Sequence, residues 1–266
     1  GSKIVFITCG LGGGTGSGSA AILADIAKDM GITAVACVTL PFRSEGMQRW
    51  KNAEYALKKL QHIADTVIVI PNDKLLDLVP DMPLNAAFQY ADMLLGNTLK
   101  GMIDLVTKPG LVNRDLADLR SILNRAGVAV MGVGESNIME EHERMIEAAE
   151  LAMRSPLLNA DVATADKVLI NISGGRNMKL DGVNTVIEYV MSQVQPGADL
   201  FWGVQIDETL NSGTTRVMVI TGGIKASKDI PLIVGARKAT AYLEKRHTGI
   251  MEVDENVISR DLALSI

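Results

Sequence analysis

Between Lys3 and Ile70 the chain alternates short, wholly apolar runs with stretches of helical period. Ile4 to Thr8, Ala34 to Leu40 and Thr66 to Ile70 are rich in β-branched residues and apolar at almost every position, the pattern of parallel strands covered on both faces. Ser19 to Met30 and Glu45 to Ile63 carry apolar residues every third or fourth position, so the order reads strand, helix, strand, helix, strand. Asn72 to Leu84, bounded and interrupted by Pro71, Pro80 and Pro83, reads as a loop with about one helical turn. Asn85 to Thr107 is the longest helix predicted. Its stripe of Phe88, Ala91, Leu95, Leu99 and Met102 runs until Lys108-Pro109-Gly110 stops it.

Beyond that stop the periodicity predicts helix 114–125, strand 127–133, helix 138–153, strand 167–172, helix 178–194, strand 199–206 and strand 214–221. Asn211-Ser212-Gly213 between the last two strands favours an antiparallel hairpin. This is a second α/β unit, and the long helix reads as a spine between the two. Residues 224–266 mix a strand-like Ile230 to Val234 with a helical Ala236 to Lys245 and carry no motif tied to chemistry.

Composition narrows the functional classes. With 47% hydrophobic but only 4% aromatic residues in 266, the chain has ample core for helix-on-sheet packing and suits a β-sandwich poorly. The formal charge of −5 leaves no basic footprint for nucleic acid or an anionic membrane. Cys9 and Cys37 lie in apolar runs without metal-ligand spacing and read as reduced core residues, so no metal site is expected from them. No apolar stretch reaches membrane-span length and no signal peptide is visible, so a cytoplasmic protein without direct membrane insertion is expected.

The chemistry concentrates after the first strand. Gly10-Leu11-Gly12-Gly13-Gly14-Thr15-Gly16-Ser17-Gly18 joins strand to helix, where glycines admit positive φ and close ligand approach and the helix N-terminus offers free N–H groups. Phosphate is the natural occupant, since a plain turn does not need so many glycines at their entropic cost. No lysine follows them, which excludes a Walker loop. A dinucleotide fingerprint fits only through Gly16-x-Gly18-x-x-Ala21, and the next strand ends at Thr39-Leu40-Pro41 without a ribose-holding acid.

Three further groups admit a functional and a bland reading. Glu45 and Arg49, four apart, make an i,i+4 ion pair by default, but at the end of a parallel strand they can reach a ribose and its base. Phe88 and Asp92 share a helix face; such a Phe is usually core, yet an aromatic ring beside a carboxylate suits guanine, with its paired N1–H and N2 donors. Asn113, Asp115 and Asp118 flank the next helix start. They serve there as cap and dipole partners, or as acids that orient water and cations.

Gly12-Gly13-Gly14-Thr15-Gly16-Ser17-Gly18 resembles the G-G-G-T-G-[ST]-G signature of the tubulin/FtsZ superfamily. Leu40-Pro41-Phe42 through Glu45 and Arg49, Asn72-Asp73-Lys74-Leu75-Leu76, Asn85-Ala86-Ala87-Phe88 and Lys108-Pro109-Gly110-Leu111-Val112-Asn113 through Asp118 follow in FtsZ order. The similarity runs from about Lys3 to Gly223 and is closest to archaeal FtsZ. The resemblance implies an α/β fold: a truncated Rossmann-like GTPase half (1–84), a central helix (85–110) and a second domain with a mixed sheet (111–223). It implies that Gly12, Gly13, Gly14, Thr15, Gly16 and Ser17 hold GTP or GDP phosphates, that Glu45 and Arg49 hold ribose and base, and that Phe88 and Asp92 hold guanine. Asp115 and Asp118, supported by Asn113, would complete hydrolysis in the pocket of the next subunit. Mg²⁺ is implied for the intact protein, with the chain itself as polymer partner and the division site at mid-cell as location.

The family also carries an earlier strand with its own glycine loop, absent upstream of Lys3, so the chain is expected to be part of a longer protein. An unpaired strand edge is expected there, covered by another chain or by the tail. Two alternatives stay open: a non-catalytic fragment that docks on or caps filaments, and a dinucleotide-dependent oxidoreductase.

Overall fold

The computed structural model describes residues 1–78, 83–107, 115–158, 161–175, 178–207, 210 and 213–224. Asn113, the Lys108-Pro109-Gly110 stop, the Asn211-Ser212 turn and the chain after Ile224 lie outside them. Seven strands, β1 (Ile4–Gly10), β2 (Thr33–Leu40), β3 (Thr66–Pro71), β4 (Gly127–Ser136), β5 (Lys167–Gly174), β6 (Asp199–Ile206) and β7 (Thr215–Gly222), form one sheet of order β1-β2-β3-β4-β7-β5-β6. Strands β1 to β4 run parallel. β2 and β3 are buried along their whole length, which is why their sequences are apolar on both faces.

The two units expected from the sequence share this one sheet. Their seam is narrow, because β3 and β4 pair only through Thr66 with Gly127, Val67 with Val128 and Ile68 with Ala129. The expected hairpin of the last two strands does not form. β7 enters between β4 and β5, antiparallel to both, while β6 pairs parallel with β5 at the sheet edge. β7 is buried at every position except Arg216, and a strand so apolar is satisfied only in the interior of a sheet with both faces covered.

Helices cover both faces. α1 (Gly14–Asp29) and α2 (Met47–Ile63) pack on one side of the parallel strands. α3 (Asp73–Leu78) leads to α4 (Leu84–Thr107), which with α5 (Leu116–Leu123) closes the other side around Met102, Leu105, Leu119 and Ile68. α6 (Glu141–Met153) and α7 (Leu180–Ser192) cover the second half on the α1 side. Among the described residues no helix is long and apolar enough to cross a membrane.

Polar contacts fix the two ends of the parallel strands differently. At the start of β2 and β3 the buried Asp65 accepts from Lys28 Nζ at 2.5 Å and from the Ala34 amide at 2.9 Å. Arg120 Nε of α5 donates to Thr33 Oγ1 at 3.0 Å, and Thr66 Oγ1 donates to the Leu123 carbonyl. At the far end Arg43 is held by Asp73, its amide donating to Oδ1 at 3.0 Å. Among the described residues β1 pairs with β2 alone. On the α1 side of β1, α1 exposes Ile22, Leu23 and Ile26, and Met30 directly after it is exposed as well. The proposal that the tail covers the edge falls on residues outside the described set.

Candidate functional site

The glycine loop differs from its expected form in one respect: α1 begins at Gly14, inside the loop, rather than at Ser19. Glycine is a poor helix former, so propensity hides this start. Gly12 turns the chain at φ +105°, where a side chain would be strained. Its amide donates to Ser17 Oγ at 2.8 Å, which folds the loop back onto the first helical turn. Gly16 is required by packing, since a Cβ there would lie 2.5 Å from the Gly10 carbonyl oxygen and 3.0 Å from Cys9 Cβ. Gly13, Gly14 and Gly18 are different, for a Cβ on any of them would meet nothing within 4 Å. Their bare backbone therefore faces open space. Gly13 caps α1 without any side-chain hydrogen bond, and no acid occupies the first turn, so the amides at this helix start are available to an anion.

The other nucleotide candidates gather at the same end of the sheet. Glu45 closes a 3-10 turn, Arg43–Glu45, and Gly46 separates it from α2, so Glu45 is not on the α2 helix as its periodicity suggested. The i,i+4 pair forms nonetheless, with Arg49 Nη1 donating to Glu45 Oε2. Glu45 Oε1 accepts from the Phe42 amide at 2.8 Å. Phe42 is fully buried, and its ring meets Phe88 edge-on with centroids 5.1 Å apart. Phe88 itself is 38% exposed, and Asp92 lies one turn on, exposed. Thus Phe42 ties the Glu45–Arg49 turn to the Phe88–Asp92 face.

Asn72 joins this group although the sequence had not singled it out beyond its motif. It follows β3 directly, is 5% exposed, and its Oδ1 has no partner. A buried unpaired acceptor is costly, and one beside the strand ends where ligands collect in α/β sheets fits a donor-bearing ligand. Cys9 lies beneath the loop with Sγ 3.8 Å from the Gly16 carbonyl, and burial raises its pKa. Burial and then the neighbouring Cys9 push the Cys37 thiol up to about 12. Both are free thiols, Cys37 buried in the core and Cys9 half-buried against it, in keeping with their apolar runs.

The acids lie elsewhere. Asp115 caps α5, its carboxylate accepting from the Ala117 amide at 3.2 Å, and Asp118 stands in the first turn. Both are exposed. α5 is fastened to Thr33 at the start of β2, whereas the loop is fastened to its end through Leu11 N and the Thr39 carbonyl, 2.9 Å apart. At ~3.3 Å per strand residue that separates the two by about 20 Å. From Phe88 to the end of α4 at Thr107 is about 28 Å at a helical rise of 1.5 Å. The fastening points of α5 and of the glycine loop thus lie at opposite ends of β2.

A cavity of about 120 Å³ lies between α4 and the second half of the sheet, away from the loop, lined by Asn97, Gly101, Asn171, Ser173, Gln205 and Arg216 among others. That volume has room for a few waters and is below the usual size of a nucleotide pocket.

The tubulin/FtsZ family GTPase domain matches residues 1–80, and the FtsZ family C-terminal domain matches residues 127–225. The chain is 50% identical over 224 residues to cell division protein FtsZ 1 of Pyrococcus abyssi, covering 84% of this chain and 59% of that protein. It is 44% identical over 260 residues to cell division protein FtsZ of Methanothermobacter thermautotrophicus, covering 97% and 66%. The chain thus spans about three fifths to two thirds of the length of these curated relatives. Among solved structures, an FtsZ dimer of M. jannaschii matches with a TM-score of 0.80 at 43% identity, over 88% of this chain and 70% of that one. CetZ2 from Haloferax volcanii, a GTPgS bound protofilament, matches at 0.68 with 20% identity over 92% and 72%, a likeness of fold.

Proposed function

The chain belongs to the tubulin/FtsZ family, and we propose that its parent protein is a cell-division GTPase that polymerises head to tail and hydrolyses GTP at the subunit contact. The open amides of Gly13, Gly14, Thr15 and Gly16, with Gly12 and Ser17 shaping the bend, hold the phosphates. Glu45 and Arg49 contact the ribose and base edge, Phe88 stacks on guanine, and Asp92 accepts from its N1–H and N2 amine. Asn72 adds its unpaired oxygen to the same nucleoside.

The observation that carries this reading is the separation of the acids from the loop along the strands. Asp115 and Asp118, exposed at the opposite end, serve the nucleotide of a neighbouring copy by accepting hydrogen bonds from the water that attacks the γ-phosphate. Asn113 supports that loop. Such a contact is heterologous and repeats into a filament. We assign 1–84 to the nucleotide half, 85–110 to the connecting helix and 111–223 to the second domain, with the narrow β3–β4 seam as support. The setting is the cytoplasm at the division site. Among the described residues no cluster of three His, Cys, Asp or Glu could hold a metal. A Mg²⁺ ion would be held through the phosphates of bound GTP, where it would neutralise their charge.

The test is GTP hydrolysis per chain against protein concentration, followed by mixing of Gly14→Ala with Asp118→Ala. A rate that rises with concentration, and activity regained on mixing two inactive variants, is expected. A concentration-independent rate, or no recovery, sinks the shared site. The β1 edge, which among the described residues pairs with β2 alone, supports a second reading, in which this chain docks on an intact subunit and caps the filament. Added to intact protein it then lowers light scattering, and unchanged scattering rules this out.

A further inference from the structure

Gly12 is where the phosphate loop and α2 touch. Its carbonyl accepts from Asn52 Nδ2 at 3.4 Å, and Asn52 Oδ1 in turn accepts from Gln48 Nε2 at 3.1 Å. Its α-carbon faces the backbone of α2 so closely that a Cβ would lie 3.0 Å from the Arg49 carbonyl oxygen. On the other side its amide is tied to Ser17 in the first turns of α1. One residue at φ +105° is therefore clamped between two helices. One helix presents the phosphate amides; the other carries Arg49 one turn before Asn52.

We infer that Asn52 is a positioning residue that couples the phosphate loop to the nucleoside-binding turn, so that each half of a guanine nucleotide orders the part of the site that receives the other half. The inference rests on the GTP-site reading. The coupling is physical. A nucleoside that engages Arg49 fixes the start of α2, and through Asn52 and the Arg49 carbonyl it fixes Gly12. Gly12 fixes the bend through Ser17, and the bend sets the direction of the free amides. A ligand that orders one end lowers the ordering cost for the other, which is positive cooperativity between the two halves of one molecule. Asn52 is exposed on α2, so this link is separable from the core that holds the helix.

The experiment uses the full 266-residue chain with Asn52→Ala and Asn52→Asp, the second keeping size and the Gln48 acceptor but losing the N–H donor to Gly12. Affinities for GDP and for guanosine are measured by calorimetry, with amide exchange over residues 10–18 in the absence of nucleotide. The ratio of GDP to guanosine affinity should fall about two- to fivefold in both variants, the effect of one modest hydrogen bond. Guanosine alone should change less than about twofold, and loop exchange should quicken while the thermal midpoint stays put. An unchanged ratio, an equal loss for both ligands, or unaltered loop exchange overturns the inference. Should the unmodified chain bind neither ligand, the GTP reading fails for this chain. The link is then decided by exchange alone: faster loop exchange in both variants sustains it and unaltered exchange ends it.

Discussion

Alanine at three glycines of the loop separates packing from ligand binding. At Gly16 a methyl group would stand 2.5 Å from the Gly10 carbonyl oxygen and 3.0 Å from Cys9 Cβ. The carbonyl belongs to the last residue of β1, in register with Thr39, so it does not yield without loosening the strand. Overpacking of this kind costs about 1–3 kcal/mol. At Gly14 and Gly18, both within α1, the same methyl meets nothing, and exchanging glycine for a better helix former gains about 0.5–1 kcal/mol. The two classes therefore differ by about 1.5–4 kcal/mol in stability, with opposite signs.

Urea unfolding gives that difference, and titration with a fluorescent guanine nucleotide gives binding. Gly16→Ala should lower the thermal midpoint by about 3–10 °C for a domain of this size. Gly14→Ala should unfold later than the starting protein and yet lose at least about tenfold in nucleotide affinity, since its methyl occupies the approach to the first-turn amides. A Gly14→Ala chain that binds as before would refute the phosphate cradle. A Gly16→Ala chain as stable as its parent would refute the packing argument, whatever binding does.

Phe88→Ala should weaken guanine-nucleotide binding up to about tenfold through lost stacking, with a small stability loss because the ring is already part exposed; equal binding in a titration removes it from the base site. Lys28→Met takes the ammonium from the buried Asp65 carboxylate and leaves it held by the Ala34 amide. The change should cost about 1–3 kcal/mol by urea unfolding, of which Asp65→Asn in the same chain should return part. Cys37 has its pKa raised from 9.0 to about 12. Its neutral form is thus favoured by folding, and that stability is intact below pH 9 and lost as pH rises toward 12. Stability should fall over that window at up to about 1.4 kcal/mol per pH unit, and Cys37→Ala should flatten the slope; an identical slope in both proteins counts against the assignment. Asp115→Ala should cost about 1 kcal/mol as a lost helix cap while Asp118→Ala costs less, measured by the same unfolding.

What the sequence disclosed followed from burial. β2 and β3 read correctly because a strand covered on both faces must be apolar throughout; the α4 stripe read only in part, with Ala91 and Met102 buried, Leu95 and Leu99 half-buried, Phe88 exposed, and Leu94 and Leu105 buried although outside the stripe. Burial does not name neighbours, however. β7 looked like the partner of β6 because the two are adjacent in the chain, whereas it is buried on both faces and lies between β4 and β5. The start of α1 was hidden for another reason: its first turn is made of residues that propensity penalises and that close approach to Cys9 and an open ligand side both demand. Asn72 carried a weak signal, a polar residue directly after a wholly buried strand. The Asn52 contact to Gly12 carried none, being made across 40 residues of chain.

The order of these residues along the chain has a consequence for assembly. Parallel strands put every strand-to-helix turn at one end of the sheet, so Gly12, Glu45 and Asn72, each just after a strand, converge there with no further instruction. A residue that must serve the same ligand from outside has to be delivered to the other end. On the proposed assignment the 24-residue α4 helix serves this purpose. On the proposed assignment an end-to-end two-fold dimer would bring loop to loop or acid to acid and complete nothing, while translation along the strands brings acid to loop at every step. Polymer and active site are then a single requirement. A variant that blocks the head-to-tail interface without touching nucleotide affinity should release phosphate only in proportion to the polymer it still forms, with light scattering and phosphate release falling together.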